Sequence, residues 1–204
     1  MANFKAHSTL GAGCAVAYAG AFWLAGALSV SEAVFASALC AFASLLPDLD
    51  CDTGRPRRFM FDTLALVIPA TLVLAWLGML RMEERFLILL AAFFLIRWPV
   101  AALFARFTTH RGIFHSVPAA LICAGLAFLL FTGRPSAVRW CYTGACLLGY
   151  ASHLVLDEMC AVGFLGLFHK KSLGTALQLR VKSRLVTAAA WFLALALAVL
   201  SAVV

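Results

Sequence analysis

The sequence predicts an all-α, polytopic integral membrane bundle of about six or seven spans, one of them short or re-entrant. Three observations carry this. Hydrophobic residues make up 64% of the 204 and charged residues only 12%, whereas a soluble domain has roughly a quarter of its residues charged. Mean hydropathy is +0.99, so the apolar excess must face lipid. The apolar residues fall in runs separated by short charged loops, and at about 20 residues per crossing the chain accommodates six or seven of them. No Ser/Pro-rich linker, composition shift or internal repeat divides the chain, and residues 1–204 read as one domain.

In order, the runs are Leu10 to Val30, Ala33 to Leu46, Phe61 to Leu80, Phe86 to Phe104, Ile113 to Phe131, Ala137 to Leu156 and Leu185 to Val204. The first, with Lys5 ahead of it, has an alternative as a signal peptide, but it is long for one and cleavage would discard His7. The second is anomalous. Roughly fourteen residues at 1.5 Å each cover ~21 Å, against a hydrocarbon core of ~30 Å. It is a tilted partner or a re-entrant half-span, and either draws Pro47-Asp48-Leu49-Asp50 below the headgroup plane.

Charge bias orients these spans. A cytoplasmic N-terminus places Lys5, Arg55, Arg57, Arg58, Arg106, Arg111, Lys170, Lys171, Arg180, Lys182 and Arg184 in cytoplasmic segments, and leaves Arg81, Arg85, Arg134 and Arg139 opposite. The positive-inside rule favours that orientation.

Ionisable groups at membrane depth are costly, which makes a recurrent set of His and Asp a functional hypothesis. His7 precedes the first run, Asp48 and Asp50 follow the second, His110 and His115 open the fifth, and His153 and Asp157 close the sixth. All seven therefore fall on the cytoplasmic side, and this placement is independent of the Lys/Arg count. His153 and Asp157, four apart on one predicted helix, share a face, while Glu158 points about 100° away. Asp48 and Asp50 are expected on an extended Pro-led loop, where alternate residues point the same way. The His110-Arg111-Gly112 turn lets His115, one turn into a helix, approach from another direction. A catalytic zinc needs three protein ligands plus water, so seven candidates are too many for one ion. Mixed His/Asp ligation points to two or three divalent ions, Zn²⁺ first and Mn²⁺ or Fe²⁺ as alternatives. The competing structural roles are an interfacial hydrogen bond for His7, capping for Asp48 and Asp50, and a buried hydrogen-bonded pair for His153 and Asp157. His169, beside Lys170 and Lys171, reads as solvated or lipid-facing.

His7, Pro47-Asp48-Leu49-Asp50, His110-Arg111-Gly112 with His115-Ser116, and His153 with Asp157 together resemble the motif set of the YdjM-like family of membrane-bound metal-dependent hydrolases. The resemblance runs from residue 7 to 157, and its specificity lies in the order and combination of short motifs. That family is thought to be related to zinc-dependent phospholipase C and the S1/P1-type nucleases, so the resemblance implies phosphate-ester cleavage at clustered zinc ions. Phe114 departs from the pattern where a small or β-branched residue is expected, and the segment after Asp157 lacks a Trp-Pro element found in some members.

If so, metal-activated water attacks phosphorus, with Asp48, Asp50 or Asp157 orienting or deprotonating it. Arg111 is expected to bind phosphate through its planar fork, and Ser116 and Arg97 are further substrate-contact candidates. Arg97 lies inside the fourth run, where a charge should face the interior, a cavity or a partner, or else snorkel to the interface. The expected substrate and environment are membrane lipid in the inner or plasma membrane. Phe164, Leu165, Leu167 and Phe168, followed by Lys170, Lys171, Arg180, Lys182 and Arg184, read as an interfacial element among anionic headgroups. A net charge of +7 permits nucleic acid, but the basic residues track loops without aromatic interleaving, so none is expected. The seven cysteines form no paired framework; Cys51, beside Asp50, is the accessory-ligand candidate. A divalent-metal or proton-coupled transporter is the alternative function, although transport sites usually lie near the midplane on broken helices. A metal that merely staples the bundle is the third class. An intramembrane zinc protease is disfavoured, since no His-Glu-x-x-His occurs.

Overall fold

The computed structural model describes residues 4–50, 55–76, 80–107, 112–162, 177–181 and 183–204. Their regular structure is helical: α1 (Phe4–Leu24), α2 (Val30–Ala43), α3 (Arg55–Trp76), α4 (Met82–Leu95), α5 (Ala101–Phe107), α6 (Val117–Leu130), α7 (Ser136–Val162) and α8 (Arg184–Val203). A 3₁₀ turn (Leu46–Asp50) follows α2, and a π-helical turn (Ile96–Val100) joins α4 to α5. An isolated bridge pairs Ser116 with Gln178. Met82–Phe104 and Arg184–Val203 are long and apolar enough to cross a membrane by length and composition; α2 and α6, 14 residues each, are apolar but shorter.

Local chemistry sets the helix ends. Gly26 takes a left-handed φ of 71° between α1 and α2, a conformation costly for any residue with a Cβ. Ser29 then caps α2, with Glu32 reaching back to the Ser29 N–H in a capping box, which satisfies two orphan donors at once. Ser116 and Ser183 cap α6 and α8 by accepting from Ala119 N–H and Val186 N–H.

Four sequence expectations change in detail. His7 lies inside α1 and not ahead of it, because the helix extends beyond the apolar run that hydropathy detects. His115 sits in the turn before α6, where the Ser116 cap and Pro118 fix the helix start at Val117. His153 and Asp157 lie within α7, which continues to Val162. Pro47 to Asp50 is a 3₁₀ turn, not an extended loop; at three residues per turn, residues two apart diverge, so the same-side argument for Asp48 and Asp50 fails.

The described chain divides into two compact units, Met1–Asp48 with Arg111–Val204, and Leu49–His110. Uniformly apolar composition carries no mark of that division. In the first unit α1, α2 and α7 pack mutually, α6 packs on α7, and α8 packs on α6. The core where α1, α2 and α7 meet is built largely of small residues, including Ala15, Ala19, Ala36, Cys40 and Ala145. Small side chains let helix backbones approach closely, the packing mode favoured where lipid supplies no hydrophobic drive. A Cβ on Gly149 would overlap the Cys40 backbone carbonyl, and one on Gly11 would overlap Ser44. The outer faces carry large apolar side chains such as Leu185, Phe192 and Val203 of α8.

In the second unit α3 packs on α4 and the π turn. Arg97, in that turn, forms an ion pair with Asp62 of α3 and lies over the Trp98 ring at 5.8 Å. The sequence marked Arg97 and passed over its partner. A lone charge at a span centre costs about 2.5–3.5 kcal/mol on insertion scales. Arg97→Leu alone is therefore expected to lower thermal stability in detergent, and adding Asp62→Leu to restore much of the loss; an equal loss in the double variant would argue that the pair is not coupled.

Candidate metal centre

Five of the seven candidate ligands converge at one end of the first unit, and all are buried: His7 2%, Asp48 5%, His115 0%, His153 1% and Asp157 1% exposed. Each is delivered by a different local device. His7 projects from the start of α1, and Gly11, one turn on and on the same face, lets that end of α1 close against Ser44. Asp48 comes from the 3₁₀ turn after α2. His115 comes from the turn held by the Ser116 cap and by the Tyr150 hydroxyl, which donates to the Phe114 carbonyl. His153 and Asp157 stand one turn apart on α7, as their spacing requires.

The side chains meet closely. His7 Nε2 lies 3.1 Å from Asp157 Oδ1, His115 Nε2 3.8 Å from Asp157 Oδ2, and His153 Nε2 3.5 Å from Asp48 Oδ1. The His7 and His153 rings stack at 3.7 Å, 9° from parallel, and His115 meets His153 edge-on at 5.7 Å.

His153 Nδ1 lies 2.7 Å from the Ser44 carbonyl oxygen. A carbonyl can only accept, so Nδ1 carries the proton and Nε2 is the ring atom that faces Asp48. In metal sites a backbone contact of this kind fixes the tautomer and orientation of a histidine. It uses backbone at the end of α2, so no side chain announces it in sequence. Burial raises the Asp48 carboxyl, but its contact with His153 and the nearby His7 and His115 outweigh that and hold it below the usual carboxylate range. Asp48 therefore sits as an anion, ready to ligate.

The donor chemistry fits a divalent ion. Ligand atoms of His7, Asp48 and His153 lie within 4.8 Å of one another, and so do those of His115, His153 and Asp157. Among the described residues, buried His7 Nδ1 and His153 Nε2 meet no hydrogen-bond partner, the kind of orphan that otherwise costs about 1–3 kcal/mol. With Nδ1 committed to Ser44, His153 offers one lone pair and can complete only one of the two triads. Three imidazoles and two carboxylates are a zinc-like set.

His110, Arg111, Cys51 and His169, with Phe164 to Lys171 and Lys182, lie outside the described residues, as does the Asp50 side chain. Ser116 is buried, and its hydroxyl donates to the Ile113 carbonyl while accepting from Ala119 N–H, so it holds the turn that carries His115. Arg97 is paired with Asp62 in the second unit. Arg139, expected in an opposite-side loop, is buried in α7, donating to the Phe128 and Val204 carbonyls with its guanidinium 3.8 Å from the Phe128 ring.

The family model of the YdjM inner membrane protein matches residues 1–204. The chain belongs to the YdjM family. Membership fixes it as an inner membrane protein and agrees with the resemblance carried by the His and Asp motifs. No curated protein and no solved structure matches the chain. In this YdjM chain, sequence reasoning missed Ser44 and Gly11, which position two of the candidate ligands. The glycine four residues after His7 was a readable signal; the Ser44 carbonyl left none.

Proposed function

We propose that this YdjM-family protein is a metal-dependent hydrolase at the cytoplasmic face of the inner membrane, cleaving a phosphate ester of a phospholipid or lipid-linked substrate. It is read as crossing the bilayer six or seven times, with α2 as the short span. The observation that carries the reading is the buried convergence of His7, Asp48, His115, His153 and Asp157. Bound divalent ions, zinc above all, would lower the pKa of a coordinated water and neutralise charge on the phosphate oxygens. His153 would hold one ion through Nε2, oriented by Ser44. Asp157, with one oxygen towards His7 and the other towards His115, would supply a carboxylate ligand beside both. Asp48 would orient the attacking water and take its proton on a carboxylate oxygen. The motif resemblance adds Asp50 and His110 as further candidate ligands and Arg111 as a candidate bidentate phosphate clamp.

The test is elemental analysis of detergent-purified protein followed by headgroup release from a phospholipid panel. The expected result is two or three bound zinc-like ions per chain and phosphate-ester cleavage. Absence of tightly bound transition metal from active protein removes the mechanism. Metal uptake into proteoliposomes without headgroup release would favour transport instead. Topology offers a separate check: reporter fusions after Gly54 and Gly133 are expected in opposite compartments, Gly54 on the cytoplasmic side, and a shared compartment would remove the single-sided arrangement.

A further inference from the structure

An apolar groove of about 770 Å³ runs between α2, α6 and α7 in the first unit. One end of it is built by neighbours of the candidate ligands. Leu46 lines it two residues before Asp48, Phe114 lines it directly before His115, and Tyr150 lines it one turn before His153. The Tyr150 hydroxyl is already engaged by the Phe114 carbonyl, so the wall beside the ligands offers hydrocarbon and ring surface. From there the groove follows α6 to Leu130 and Phe131. Fourteen helical residues span about 20 Å, enough to lay out a chain that crosses one leaflet of a ~30 Å hydrocarbon core. A peptide or nucleic acid would bring polar groups needing partners, which these walls do not supply. A hydrocarbon tail needs none.

We propose that this groove holds the hydrocarbon tail of a membrane lipid whose phosphate-bearing head lies at His7, Asp48, His115, His153 and Asp157. What happens to the head rests on the phosphoesterase reading; occupancy of the groove does not. Phe114, the departure from the family pattern, then acts as the surface against which the first tail carbons pack.

The test uses the full chain in phosphatidylglycerol nanodiscs doped with phosphatidylglycerol bearing a diazirine in mid-chain, irradiated and mapped by mass spectrometry. Adducts are expected to concentrate at Ile122 and Cys123, partly buried in the groove, above the level at Phe192 and Val199, outward residues of α8 that meet bulk lipid. Ile122→Trp should fill the groove and bring its labelling down to the α8 level while the α8 adducts persist. Ala119→Phe, near the ligand end, is the second variant should Ile122→Trp fail to fold. Even labelling of both faces in the unaltered protein, or groove adducts that survive both fillings, overturns the proposal. Groove enrichment without headgroup release from any phospholipid would keep the tail site and defeat the phosphoesterase reading; release with even labelling would do the reverse.

Discussion

Replacing His153 by alanine is expected to abolish hydrolysis and strip the protein of metal. The ring is buried, stacked on His7 and aimed at Asp48 by the Ser44 carbonyl, so nothing nearby can take its place. Outer-shell substitutions at metal sites already cost about 10–100-fold in affinity or activity, and loss of a ligand itself should exceed that. Asp157→Asn is a sharper probe, since it keeps shape and removes the charge that faces both His7 and His115. Both variants should leave helical content unchanged while bound metal falls. His169→Ala, which the sequence places outside the ligand set, should retain both metal and activity. Metal content and headgroup release measured on the three purified proteins decide the matter. Full activity in His153→Ala or Asp157→Asn would remove α7 from the site and the phosphoesterase reading with it.

The five side chains that converge were legible because the sequence reading looked for residue types that metal chemistry favours. Few His and Asp occur in so apolar a chain, and the i, i+4 spacing of His153 and Asp157 placed them on one face before any coordinates. The helical class was legible for a related reason: lipid demands that backbone groups be satisfied internally. Hydropathy reads lipid contact, however, and α1 continues past its lipid-like run to take in His7. The Pro-led segment after α2 defeated a period argument, since two-residue alternation belongs to extended chain and the segment closes into a 3₁₀ turn. Arg97 was visible as an isolated charge, but its partner Asp62 sits thirty-five residues earlier, where no local pattern links the two. The Ser44 carbonyl was beyond reach altogether, because every residue carries one.

Gly149→Ala is expected to damage the fold and the site together, although it adds a single methyl group. Gly149 lies where α7 crosses α2, and a Cβ there would overlap the Cys40 carbonyl. Backbone cannot rotate aside as a side-chain tip does, so the two helices must part. Overpacking of this kind costs about 1–3 kcal/mol, and sometimes more. The consequence reaches the chemistry, because Gly149 stands one turn before His153 on α7, and Ser44, which orients His153, ends the helix that would be displaced. Separation of α2 from α7 should lengthen the His153 to Ser44 contact and weaken metal binding as well as lowering the melting temperature. Gly13→Ala supplies the control: it makes the same change on α1, where an added Cβ meets nothing within 4 Å, and the helix propensity of alanine there is worth up to about 1 kcal/mol. That variant should melt at or above the temperature of the unaltered protein and keep its metal. Thermal unfolding in detergent with metal analysis on both proteins provides the comparison. Equal behaviour of the two alanines would mean that α2 and α7 do not meet at Gly149, and that the close crossing which brings Ser44 to His153 is not how this site is built.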